Sequence, residues 1–250
     1  MGYWPIVEDL MDNADILLLV SDARMPELSR NKELERKVEQ RGKALVNVFT
    51  KIDLLSPESL KKLRGNYYGC FFVSGTKNIG VSELRRNLQI LARRLKLDSP
   101  RIGVIGYPNL GKSALINALA RRARTLVADM PHTTRGVQWV NAGGLRILDS
   151  PGVIPYEDKG TKLTLIGSKH PEKIDDPVKV ALEVIRMFTS TNKENLEIRY
   201  KIKILPATEP YEILLEIGRK RGYLKRGGEV EEIKSAITVV KDWQKGKLIL

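Results

Sequence analysis

The sequence holds one cysteine, Cys70, and two histidines, His132 and His170, in 250 residues. A lone cysteine excludes an intramolecular disulfide framework and a cysteine-cluster zinc site, and two histidines are too few for a histidine-rich metal centre. A reducing, cytoplasmic location is expected. Long apolar runs are also lacking: the longest, Ile16 to Val20, falls far short of the ~20 residues that span a bilayer, and Glu8, Asp9 and Asp12 stand where a secretory leader needs basic residues. Neither a membrane nor export is expected, and there is no low-complexity tract or internal repeat. Acidic residues are short relative to basic ones, 30 Asp+Glu against 43 Lys+Arg, which leaves a net charge of +13. An excess of that size in an otherwise ordinary folded composition favours a polyanionic partner, nucleic acid first.

Short β-branched runs alternate with amphipathic stretches from Ala14 to Asp149, the pattern of a doubly wound, mostly parallel α/β sheet. Strands are expected at Asp15 to Ser21, Ala44 to Phe49, Cys70 to Val73, Ile102 to Ile105, Gly136 to Asn141 and Leu145 to Leu148. Ser56-Pro57 should open a helix over Leu60 to Leu63, and Val81 to Leu97 should form another, ended by Asp98-Ser99-Pro100. After Gly152 the alternation stops. The chain is therefore divided into a domain of residues 1–160 and a smaller all-α domain of residues 161–250. In the latter, Asp176-Pro177 starts a helix with Val180, Val184 and Met187 on one face, Thr208 opens a second near Pro210, and Val230, Ile233, Ile237 and Val240 mark a third. Divided at 160, the charge is +8 and +5, so the excess is not a detachable tail.

Gly106-Tyr107-Pro108-Asn109-Leu110-Gly111-Lys112-Ser113 is a G-x-x-x-x-G-K-S run that follows a strand and opens a helix. Both are the context a phosphate-binding loop requires. Its backbone N–H groups would cradle phosphates, from Asn109, Leu110 and Gly111 to Ser113 and Ala114, with Lys112 reaching the β and γ phosphates and Ser113 holding magnesium. Base identity comes from Thr50-Lys51-Ile52-Asp53: a carboxylate at Asp53 can accept both the N1 and N2 hydrogens of guanine, and the stem of Lys51 can cover the base. Ser74, Gly75 and Thr76 supply a second base contact, with the Gly75 N–H meeting guanine O6. Asp149-Ser150-Pro151-Gly152 places Asp149 toward magnesium and Gly152 toward the γ phosphate, and Thr134 in Pro131-His132-Thr133-Thr134-Arg135 completes the metal's coordination. Lys112, Thr134 and Gly152 are the candidate catalytic set.

The order of these motifs is unusual, because the base motif and the serine loop precede the phosphate loop. A doubly wound domain has neighbouring termini, so the same site can be built by a circularly permuted chain. The segment after Gly152 is then joined directly to the second domain. Val153 follows the D-x-P-G glycine, so no glutamine is available there to orient water, and slow intrinsic hydrolysis is expected. A GTP-gated RNA-binding scaffold with negligible turnover is one alternative; a P-loop ATPase or kinase is the other, disfavoured by Asp53.

Together with this order, Asp22-Ala23-Arg24-Met25-Pro26, Ser29-Arg30-Asn31 and Gln138-Trp139-Val140 make residues 14 to about 155 resemble the YlqF/RbgA-type circularly permuted GTPases of large ribosomal subunit assembly. The C-terminal layout, ending in Asp242-Trp243-Gln244-Lys245-Gly246-Lys247-Leu248, is similar but less specific. The resemblance implies GTP and GDP as substrate and product, Mg²⁺, and ribosomal RNA on a large-subunit precursor as partner, with a monomer expected. Asn109 resembles the asparagine by which related GTPases bind K⁺. Three departures stand out: Tyr3-Trp4-Pro5-Ile6 lacks the histidine of the bacterial members, His132 stands where glycine is common, and Thr50 replaces asparagine, an exchange expected to loosen the tie between base motif and phosphate loop. Basic clusters at Arg85-Arg86, Arg93-Arg94-Lys96, Arg121-Arg122-Arg124 and Arg219-Lys220-Arg221 with Lys225-Arg226 are candidate RNA contacts, the last first.

Overall fold

The computed structural model describes residues 4–121, 139–150, 152–154 and 160–250, with the backbone alone at Trp139 and Asp149. The chain forms two compact units: Met1–Asp53 with Leu60–Tyr156, and Leu54–Ser59 with Glu157–Leu250.

The first unit contains α1 (Trp4–Asn13), β1 (Ile16–Asp22), α2 (Pro26–Ser29), α3 (Lys32–Gln40), β2 (Ala44–Thr50), most of α4 (Pro57–Asn66), β3 (Phe71–Phe72), α5 (Val81–Arg94), β4 (Arg101–Ile105), α6 (Lys112–Arg121), β5 (Trp139–Asn141) and β6 (Arg146–Asp149). The strands form one sheet in the order β3-β2-β1-β4-β6-β5, parallel except for β5. Each of the six expected strands has described residues, although β3 keeps only two and Gly136 to Gln138 of the expected fifth strand lie outside the described residues. β1 is buried at every position because it lies between two neighbours and under helices, which its unbroken apolar run Ile16–Val20 already encodes.

One hydrophobic cluster joins Val7, Leu10 and Met11 of α1 to Leu17 and Leu19 of β1, Leu34 and Val38 of α3, and Ile105, Leu148 and Val153. Each such buried side chain contributes roughly 1.5–3 kcal/mol before entropy is counted. The expected helix from Val81 ends at Arg94, three residues early, where Lys96 turns left-handed (φ 55°). Ser56 caps α4 as expected, its Oγ accepting from the Ser59 N–H at 3.2 Å.

The second unit contains α7 (Thr161–Leu165), α8 (Pro177–Thr191), α9 (Lys193–Tyr200), α10 (Pro210–Lys220) and α11 (Glu232–Gln244). Asp176 caps α8, accepting from Lys179 N–H at 2.9 Å. Thr208 does not cap α10: its hydroxyl donates to Leu205 O at 2.9 Å, and Pro210 opens the helix after Glu209. The apolar face of α11 is also rotated from the expected one. Ile233 is 62% exposed, Val230 precedes the helix in a bridge with Leu224, and the buried side is Ala236, Val239, Val240 and Trp243. The aromatic rings set this rotation. Trp243 meets Phe188 of α8 edge to face at 5.9 Å and donates its indole N–H to Leu165 O at 2.8 Å.

Leu54–Ser59 groups with this unit although sequence places it inside the first domain. The reason is local: Leu250 N–H donates to Leu54 O at 2.9 Å, and Ser56 N–H donates to Leu250 O at 2.6 Å. Gly246 packs so closely on Leu54 that a Cβ would come within 2.8 Å of its side chain. The Asp242-to-Leu248 motif acts here as structure. Buried Asp242 pairs with Arg199 at 2.8 Å and Lys247 at 3.2 Å, and Gln244 ties Thr164 O and Lys169 O.

Candidate functional site

Sheet register brings the sequence motifs together. Asp22 at the end of β1 stands opposite Thr50 at the end of β2, and Val104 of β4 stands opposite Asp149 of β6. The carboxyl ends of β1, β2, β3, β4 and β6 therefore share one edge, where parallel α/β sheets take their ligands. Gly106 to Gly111 leaves β4 at that edge and enters α6 at Lys112.

Lys112 is buried, with its ammonium held by Tyr107 O at 2.8 Å and Gly106 O at 3.3 Å. Ser113 is exposed on the first turn of α6, and Ala114 is half-buried. Thr50 Oγ1 lies 2.5 Å from Leu110 O and 3.1 Å from Ser21 O, and its one proton goes to the shorter contact. The expected loosening at Thr50 is thus not what the structure has: a hydroxyl reaches the loop directly, because Leu110 O comes right up to the strand end. Asp53 follows in a 3-10 turn, Ile52–Leu54, half-buried.

Ser74 to Lys77 forms a tight turn in which Ser74 Oγ accepts from Lys77 N–H at 3.1 Å. Gly75 presses its Cα against α6, where a Cβ would lie 2.6 Å from the Ala114 carbonyl carbon, so only glycine fits. Lys51 and Asn109 both have φ 61°, a left-handed conformation that costs a non-glycine residue roughly 1–2 kcal/mol. Asn78, inside the turn closed by the Ser74–Ile79 bridge, is also left-handed at φ 55°.

The segment after β6 folds onto the phosphate loop. Val153 N–H donates to Gly106 O at 3.2 Å, and Val153 is 2% exposed within the core, with no polar atom to offer water. Gly152 approaches Pro108 so closely that a Cβ would be 2.4 Å from its nitrogen. Thr134 with the rest of Pro131 to Arg135, Gln138, Pro151, and the side chains of Asp149 and Trp139 lie outside the described residues.

Asp22 to Asn31 reads from its residues as a strand-end loop followed by a capped helix, and the structure has that arrangement. Asp22 is fully buried and receives Arg24 Nη2 at 2.8 Å, Arg24 Nε at 3.0 Å and Lys51 Nζ at 2.8 Å. Burial alone would raise this carboxyl's pKa, but the charges of Arg24 and Lys51 hold it well below the usual carboxylate range. Ser29 Oγ accepts the Asp22 N–H at 2.8 Å and Asn31 caps α3, so the signature is a strand-end loop locked to the base motif. The signal available in sequence was an acidic residue ending a strand that opens with the unbroken apolar run Ile16–Val20.

Among the basic clusters, Arg85 is half-buried and donates to Ala142 O at 3.0 Å, a structural duty. Arg93, Arg94, Lys96 and Arg121 are exposed, and Arg122 and Arg124 lie outside the described residues. In the second unit Arg219, Lys220, Arg221, Lys225 and Arg226 are all exposed around the turn that ends α10, with Tyr223 half-buried beside them.

The sheet order places the phosphate-loop strand between β1 and β6, the arrangement of a P-loop GTPase in which the base-motif strand comes before the phosphate-loop strand in sequence. Fold and site together define a circularly permuted GTPase. The chain belongs to the RsgA GTPase family, whose model matches residues 7–157. A second model, described as a 50S ribosome-binding GTPase, matches residues 101–216.

Among curated relatives, a GTP-binding protein of Methanocaldococcus jannaschii, MJ1464, is 34% identical over 97% of this chain and 65% of its own length. The GTPase grn1 of Schizosaccharomyces pombe is 33% identical over 96% and 59%, and the nuclear GTP-binding protein NUG1 of Saccharomyces cerevisiae 31% over 99% and 55%. The chain thus spans about half to two thirds of the curated relatives it matches. GNP-bound YlqF from T. maritima shares the fold, with a TM-score of 0.60 at 23% identity over 98% of this chain and 94% of that one. Among the described residues no helix is long and apolar enough to cross a membrane.

Proposed function

We propose that this protein hydrolyses GTP to GDP and phosphate at the shared sheet edge, and couples that reaction to binding ribosomal RNA on a large-subunit precursor. The observation that carries the reading is the hydrogen bond between Thr50 and Leu110 O, which ties the base motif to the phosphate loop at 2.5 Å. In this reading Asp53 accepts the guanine N1 and N2 hydrogens, Lys51 covers the base, and the Gly75 N–H meets O6. Lys112 gives up its loop carbonyls for the β and γ phosphates, and the Gly152 N–H marks the γ phosphate. Ser113, Thr134 and Asp149 are all oxygen donors, a set suited to a hard divalent ion. Magnesium, when bound, neutralises charge on the β and γ phosphates.

With Val153 buried, no side chain at that position can orient water, and unstimulated turnover of about 10⁻⁴ to 10⁻² per second is expected. Asn109 is the residue that would hold K⁺, which would supply the positive charge that other GTPases take from an arginine. Phosphate release measured in K⁺ and in Na⁺, with and without separated large subunits, tests this: K⁺ and subunits should each raise the rate, and equal rates in all four conditions would remove the proposal. The same buried Val153 favours a second reading, a GTP-gated scaffold, which GTP complexes that persist beside large subunits would establish.

The exposed basic turn after α10 and the family model's 50S ribosome-binding description support RNA as the partner. Reversing Arg219 and Lys220 to glutamate should weaken ribosomal RNA binding about tenfold and lower the slope of log affinity against log salt by about two. An unchanged slope in filter binding would move the RNA surface elsewhere.

A further inference from the structure

We infer that Asp22, backed by Arg24, is a positioning residue that clamps Lys51 into a ready-made plate for the guanine base. The inference rests on the reading of Thr50 to Asp53 as the base site and deepens it. Three observations carry it. Arg24 alone already serves both oxygens of Asp22, through Nη2 at 2.8 Å and Nε at 3.0 Å, so the carboxylate has its charge neutralised without Lys51. The second cation at 2.8 Å is surplus to that need and leaves the triad with a net positive charge.

Exposure separates the two cations as well: the Arg24 side chain is 1% accessible and that of Lys51 is 19%. Lys51 is the member that still meets the surface. Its backbone is left-handed at φ 61°, a strained geometry held at one end by Thr50, which is tied to Leu110 O, and at the other by the ion pair. A lysine stem ordinarily loses much rotamer freedom when a ligand settles on it. Here that freedom is already gone on folding, so base binding gains from preorganisation. A merely structural ion pair would not need the exposed partner.

The test measures GDP affinity, competition by inorganic pyrophosphate, and nucleotide-free thermal melting for Asp22→Asn, Lys51→Met and the double variant. GDP affinity should fall about tenfold in each single variant and no further in the double, because both changes remove the same plate. Pyrophosphate competition should stay at the parent's level, since the phosphate loop is untouched. Parent-like GDP binding in either single variant, additive losses in the double, or equal losses of GDP and pyrophosphate would each overturn the inference. If Asp22→Asn fails to fold, Asp22→Glu, which keeps the charge but shifts it by one carbon, replaces it with the same expectations. Asp53→Asn run alongside separates the two ideas: an unchanged base preference there overturns the base-site reading itself, whereas a changed preference with parent-like Asp22 variants overturns only the clamp.

Discussion

Replacing Asp53 with asparagine should move the preferred base from guanine to xanthine. A carboxylate has only acceptors, and on the guanine edge it meets two donors, N1–H and N2–H. An asparagine amide in its place puts one N–H group against the guanine N2 hydrogens, a donor facing a donor, while its carbonyl still accepts N1–H. Xanthine carries an oxygen at C2, so the amide then finds one donor and one acceptor. Losing a charge-assisted pair and facing a repulsive contact costs about 3–4 kcal/mol, or on the order of 10²- to 10³-fold in GTP affinity. Competition titrations with GDP, XDP and ADP check it. A rise in ADP affinity instead, or an unchanged order, would mean that the half-buried carboxylate in the Ile52–Leu54 turn does not face a base.

Gly152→Ala should abolish turnover while sparing most GDP binding. The added carbon would lie 2.4 to 2.6 Å from three atoms of Pro108, two of them backbone, so the segment has to lift off the phosphate loop. Lifting breaks the bond from Val153 N–H to Gly106 O at 3.2 Å and draws Val153 out of a core it shares with Leu19 and Ile105. Overpacking of this kind costs roughly 1–3 kcal/mol of stability. The larger effect is on the reaction: in the proposed site a γ phosphate would lose its backbone donor, and single-turnover phosphate release should fall 10²-fold or more. Hydrolysis within twofold of the parent would show that Gly152 need not touch the loop during the reaction.

Much of this was legible in the chain itself, for reasons that differ by element. β1 declared itself because a strand buried on both faces must be apolar throughout. The phosphate loop was legible because glycine spacing, lysine and serine each answer one physical need. What escaped was whatever depends on a partner distant in sequence. Thr50 looked like a weakened asparagine until Leu110 O, sixty residues later, proved to be its acceptor. The rotation of α11 could not be read from Ile233 and Ile237, because Phe188 and Leu165 decide where Trp243 must go. Asp22 is a mixed case: Arg24 is a local partner two residues on, but Lys51, 29 residues away, is brought to it by the register of β1 on β2.

The six residues Leu54–Ser59 leave the first unit immediately after Asp53 and return to it at Leu60. Their backbone bonds to Leu250 complete the second unit. The polypeptide therefore passes between the units at three places in sequence, not one. The second unit is no transplantable cassette: residues 157–250 expressed alone lack a piece of their own fold. A break between residues 156 and 160 would leave the strip that hydrogen-bonds Leu250 on the first fragment.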